Sequence, residues 1–91
     1  MEHTIRIDAF TREILFDNQV IYKNGRVFDA AKYNLVNKIY KGTIADLMNL
    51  LKEGDVYKLE IIDYFGKRKF IIKKEYGEIR IGGVGRGYRK I

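Results

Sequence analysis

VYKLEIIDYFGKRKFIIKKEYGEIRI, residues 56–81, is the stretch that decides the fold. It reads as three strand-forming runs, 56–64, 69–75 and 78–81, broken by two glycine turns. Take Gly66-Lys67 as the central pair of the first turn, with glycine supplying the positive φ. Then Ile62 faces Ile71, Ile61 faces Ile72, Glu60 faces Lys73 and Lys58 faces Glu75. Aliphatic pairs and opposite charges of this kind stabilise an antiparallel ladder. With Tyr76-Gly77 as the second turn, Ile72 faces Ile81, Lys74 faces Ile79 and Lys73 faces Arg80. One face then carries Leu59, Ile61, Phe70, Ile72, Ile79 and Ile81, the predicted core face. The other carries Lys58, Glu60, Tyr64, Lys69, Lys73, Glu75, Glu78 and Arg80, with Ile62 and Ile71 among them. A slip of one residue would turn the charges inward, so the pattern specifies a firm register.

Upstream, Thr4 to Phe10 alternates and predicts a strand with Ile5, Ile7 and Ala9 on one side. Short apolar runs at 13–16 and 20–22 flank a turn at Asp17-Asn18-Gln19. Asn24-Gly25 is a strong hairpin signal, because both central residues of the favoured turn need positive φ. It sets Tyr22 against Val27 and Ile21 against Phe28. Asp29 then caps a helix from Ala30 to about Lys41, with Ala31, Leu35 and Ile39 at helical spacing beside Val36 and Tyr40. Gly42 stops it. Thr43, with Asp46 three residues on, opens a second helix in a capping-box pattern, carrying an apolar stripe of Ile44, Leu47, Met48 and Leu51. The sum is a small α+β domain over residues 1–81: N-terminal antiparallel hairpins, two consecutive helices and a three-stranded meander. A glycine-rich basic tail, 82–91, follows.

The chain has 91 residues and a net charge of +6. The charge is lopsided. Residues 64–91 hold nine Lys/Arg against two acids, a balance of +7, whereas the first 63 residues hold nine against ten. Such asymmetry attracts polyanions. No apolar run approaches the roughly twenty residues a membrane-spanning helix needs, and no signal-peptide pattern opens the chain. With no cysteine there is neither a disulfide nor a thiolate metal site, and a cytoplasmic setting is the simplest expectation.

Catalytic chemistry lacks parts. Serine and cysteine are absent, and the single histidine, His3, sits at a terminus expected to be mobile. Asp55, Glu60 and Asp63 are close in sequence, but Glu60 is expected to serve Lys73. No metal or cofactor is implied. The glycines of 82–87 lack the GKS/GKT that a phosphate-binding loop requires. The second helix offers two negative charges and one positive, a poor reading head for duplex DNA.

What remains is binding. Lys67, Arg68, Lys69, Lys73, Arg80, Arg86, Arg89 and Lys90 are candidate phosphate contacts, and Tyr88 and Tyr64 candidate stacking residues. The partner expected is nucleic acid, RNA or single-stranded DNA above duplex, or a nucleic-acid–protein complex. A competing reading is a protein-directed inhibitor or adaptor, of the size of phage-encoded anti-defence and anti-CRISPR proteins, with Tyr57, Tyr64 and Phe65 as an exposed contact patch. Two helices followed by a meander and a basic, Tyr-containing end, residues 30–91, also resemble ribosome-dependent mRNA interferase toxins. That resemblance implies that Arg80, Arg86, Tyr88 and Arg89 act on RNA. The N-terminal hairpins depart from the pattern.

Overall fold

A computed structural model describes residues 1–83 and 88–90. The chain runs β1 (Glu2–Asp8), β2 (Glu13–Phe16), β3 (Gln19–Lys23), β4 (Arg26–Val27), α1 (Ala30–Lys41), α2 (Ile44–Leu50), β5 (Val56–Asp63), β6 (Gly66–Glu75), β7 (Glu78–Gly83) and β8 (Tyr88–Lys90). The strands form one mixed sheet in the order β4-β3-β2-β1-β5-β6-β7-β8. The α+β layout of hairpins, two helices and meander holds, but the meander has a fourth strand, β8, paired with β7 within the stretch expected to be a tail. The N-terminal hairpins and the meander, however, are a single sheet. β1 lies parallel to β5, with Ile5 beside Leu59 and Ile7 beside Ile61, and every other pairing is antiparallel.

Most of the turns follow their residue chemistry. Asn24 and Gly25 both take positive φ, and Tyr22 pairs with Val27. Tyr76 and Gly77 do likewise, and β6–β7 has the expected register, Ile72 to Ile81 and Lys74 to Ile79. Asp17 and Asn18 make a two-residue turn, both at positive φ.

The β5–β6 turn departs from the expectation. Its central residues are Tyr64 and Phe65, not Gly66-Lys67, so Leu59 faces Phe70, Tyr57 faces Ile72, Glu60 faces Lys69 and Asp63 faces Gly66. Aspartate at the first position and glycine at the fourth is a common β-turn composition. Asp63 Oδ1 accepts the Phe65 N–H at 2.9 Å, and Gly66 takes its positive φ at the fourth position of the turn, two positions later than expected. The expected pairs are thus displaced by four residues. An even displacement leaves every side chain on its own face. Leu59, Ile61, Ile72 and Ile79 are accordingly buried, and Phe70 and Ile81 half-buried.

Both helices pack on this face. Asp29 caps α1 by accepting the Lys32 N–H. Val36 and Ile39 carry its burial, while Ala31 and Tyr40 are exposed, so the buried stripe is rotated from the one expected. Gly42 ends α1 at φ −72, not in the left-handed region; a Cβ there would come within 2.2 Å of the Lys38 carbonyl oxygen. The α2 capping box forms in both directions between Thr43 and Asp46. Leu47 and Leu51 are buried and Ile44 exposed. The core joins Ile5, Phe16 and Ile21 from the first half to Tyr57, Leu59, Ile72 and Ile79 from the second. Among the described residues, no helix covers the opposite face of the sheet. Among the described residues no helix is long and apolar enough to cross a membrane.

Candidate functional site

Parallel pairing of β1 and β5 sends both strands out at the same end of the sheet, and each ends in the same way. Ile7-Asp8-Ala9-Phe10 closes β1 and leads out of it, and Ile62-Asp63-Tyr64-Phe65 does the same for β5. In each, the aspartate Oδ1 accepts the phenylalanine N–H at 2.9 Å, and Asp8 also takes the Thr11 N–H at 3.1 Å. These side-chain turns spend the carboxylates on the backbone and lift the aromatics clear of it. The Ala9 N–H donates to the Ile62 carbonyl at 2.8 Å, tying the turns together. Phe10 meets Tyr64 edge-on, with ring centres 5.0 Å apart. Tyr64 and Phe65 are 85% and 91% exposed and Phe10 58%. Exposed aromatics gathered in one place, rather than scattered singly, mark a contact surface. Phe10 was not singled out from the sequence. The recurrence of Ile-Asp-x-Phe was the available signal.

Cations ring this end. Arg12 is exposed and makes no ion pair among the described residues. Arg68 donates to Asp63 Oδ2, and Lys67 sits 3.5 Å from Glu60. Lys69 is exposed on the helix-free face opposite Glu60 and also lacks an ion pair among the described residues. Glu60 is taken by Arg6 and Lys67, not by Lys73 as expected; Lys73 pairs instead with Glu75 at 3.4 Å. Arg80 approaches Glu75 and Glu78, and its guanidinium lies 6.0 Å from the centre of the Tyr76 ring. The predicted basic residues therefore divide. Lys67, Arg68 and Lys69 stand at or next to the aromatic end, whereas Lys73 and Arg80 lie further along the sheet among carboxylates. Arg86 lies outside the described residues, as do the side chains of Tyr88, Arg89 and Lys90, which are described only as strand β8.

Two expectations need correction. Tyr57 does not belong to an exposed patch. It is 6% exposed, because its position in β5 shares the core face with Leu59 and Ile61. Burial, and then the nearby Asp55 and Asp17 carboxylates, push its phenol pKa above the ordinary value. His3 does not sit at a loose end either. It is held in β1 between Phe16 and Tyr57, at 5.1 and 5.4 Å, with Nδ1 2.7 Å from Asp17 Oδ2. The carboxylates considered for catalysis are engaged structurally: Asp55 accepts the Lys52 N–H, and Glu60 and Asp63 hold cations.

Behind the aromatic end, the helix-free face carries an open groove of about 540 Å³. Its lining includes Thr4, Arg6, Leu15 and Asn18 from the first half and Lys58, Glu60, Lys69 and Ile71 from the second. Comparison of the chain with protein-family models, with curated proteins and with solved structures finds no match.

Proposed function

We propose that this protein is a non-enzymatic binder of single-stranded nucleic acid, RNA or DNA, acting inside the cell. In this reading it takes bases on the aromatic end of the sheet and phosphates on the surrounding cations. The observation that carries the reading is the cluster of Phe10, Tyr64 and Phe65, held out in solvent beside Arg12, Lys67 and Arg68. A base stacked on an aromatic ring contributes about 1–3 kcal/mol, whatever its sequence. The ion pairs of Lys67 and Arg68 are not an obstacle. Exposed pairs are worth about 0–1 kcal/mol, so a phosphate can replace the carboxylate. The net charge of +6 adds long-range attraction.

Fluorescence anisotropy with labelled RNA and DNA single strands of about twelve nucleotides tests this, with duplex as the comparison. Single strands should bind better than duplex. If about four phosphates are neutralised, log affinity should fall with log salt at a slope of about −3. Tyr64→Ala with Phe65→Ala should weaken binding about tenfold or more at every salt concentration, as expected for lost stacking. No binding at about 50 mM salt would remove the nucleic-acid reading.

A second reading has its own support. Phe65 offers only hydrocarbon, and aromatic anchors of this kind fill pockets in protein partners. A protein-directed inhibitor of anti-defence or anti-CRISPR type would use the same end of the sheet. An RNA-cleavage assay of the wild-type chain against Arg89→Ala examines the toxin-like alternative; equal background in both would dismiss it.

A further inference from the structure

We propose that the groove on the helix-free face is the track along which the same single strand continues after leaving the aromatic end. This rests on the nucleic-acid reading above and adds a path and a length to it. The register orders the open-face residues in rows that cross β1, β5 and β6. Asp8, Ile62 and Lys67 form the row at the aromatic end; Arg6, Glu60 and Lys69 come next, and then Thr4, Lys58 and Ile71. Successive rows are two residues apart, about 6.7 Å along the strands. The groove occupies the second and third rows. A chain passing from Tyr64 and Phe65 onto this face enters it directly.

The lining specifies the chemistry of the occupant. Of the lining cations, Arg6 shares Glu60 with Lys67 and Lys58 pairs with Glu2 at 2.8 Å, while Lys69 makes no ion pair among the described residues, so the lining keeps an excess of positive charge. An anionic ligand is favoured and a cationic one repelled. Leu15 and Ile71 give an apolar floor, and the Asn18 amide offers both a donor and an acceptor at the rim. The groove therefore asks for repeated negative charge with apolar and hydrogen-bonding surface between the charges. Single-stranded nucleic acid supplies all of these, together with the flat faces that the adjoining aromatics can stack on. An acidic peptide supplies charge and backbone hydrogen bonds but not the succession of flat faces. The track from the Lys67 row to the Ile71 row spans about 13 Å. With the aromatic end included, this sets a footprint of about six nucleotides, within the range found for single-strand binding modules.

The test is a length series of oligo(U) RNA and oligo(dT) DNA, from about four to ten nucleotides. It is read by anisotropy for the wild type, Lys69→Glu, the milder Lys69→Gln, and Lys41→Glu, an equal change of charge on helix α1. Wild-type affinity should climb to about six nucleotides and then level. Lys69→Glu should weaken the longer strands about tenfold more than Lys41→Glu does and flatten the length dependence, and Lys69→Gln should fall between. Equal losses in Lys69→Glu and Lys41→Glu would overturn the track while leaving the aromatic site standing, provided the Tyr64 and Phe65 variants still bind poorly. Displacement of the oligonucleotide by polyglutamate at equal charge concentration would overturn it too, because the groove would then be recognising charge alone. No binding of any strand at any length would end both readings.

Discussion

Asp17 does several jobs at the two-residue turn between β2 and β3. Its own N–H donates to the Thr4 carbonyl at 2.9 Å, Oδ1 accepts the Thr4 N–H at 2.9 Å, and Oδ2 meets His3 Nδ1 at 2.7 Å. Partial burial raises its pKa, but the Thr4 and His3 hydrogen bonds outweigh that, and the net value lies below the ordinary one. A carboxylate depressed in the folded state contributes stability that is complete above the unfolded pKa and is lost as pH falls through the folded one. Asp17→Asn keeps a side chain that tolerates the positive φ and removes only the charge. The variant should cost about 1 kcal/mol at neutral pH, the difference between a charged and a neutral acceptor. The gap from wild type should close in acid below the depressed pKa. Urea unfolding of both proteins across that range measures it, and a gap that stays constant with pH would refute the assignment.

At the scale of elements, α2 is seven residues long, too short to hold itself together by propagation alone. Its start is fixed by Thr43, which accepts the Asp46 N–H, while Asp46 returns a contact to the Thr43 N–H. The Thr43 hydroxyl, which donates to Asp46 Oδ2 at 3.1 Å, then the Thr43 N–H, with Lys38 nearby, hold the Asp46 carboxyl below its ordinary pKa. Thr43→Ala should destabilise the protein by about 1 kcal/mol in chemical denaturation. Gly42→Ala should also destabilise, for a steric reason: its φ suits any residue, but a Cβ would collide with the Lys38 carbonyl. The helix matters because it brings Leu47 and Leu51 onto the sheet. Glu53, just beyond it, accepts the N–H groups of Tyr76 and Gly77, so the α2–β5 connection also braces the β6–β7 turn.

Across the whole molecule, the β1–β5 pair is the seam between two antiparallel halves. Ile5, 1% exposed, lies at its centre between Phe16 and Leu59. Ile5→Ala should cost about 2–5 kcal/mol, the range for truncating a buried aliphatic residue. Because the halves share one core, unfolding should remain a single transition shifted to lower denaturant. Loss of the seam as a separate early step, seen as two transitions in wild type, would show that the halves fold independently. The same seam assembles the candidate site, since Phe10 and Tyr64 are 54 residues apart in sequence and touch only because their strands run side by side.

Local chemistry in the chain was enough for most of the elements and for the faces of the strands, though not for β8 or for the buried stripe of α1. Asn24-Gly25 and Tyr76-Gly77 carry their own turn geometry, Asp29 and Thr43 cap their helices, and the period-two alternation of 56–81 selects its buried side under either register. The position of the β5–β6 turn was also legible, in Asp63 and Gly66, but the glycine alone points two residues too far. The parallel seam was not legible. Alternation reports which face of a strand is apolar, not which strand lies beside it, and β1 and β5 are separated by three hairpin turns and two helices. Only tertiary packing, by burying Ile5 against Leu59 under the helices, brings the two Ile-Asp-x-Phe turns to one end of the sheet and adds Phe10 to the Tyr64-Phe65 pair.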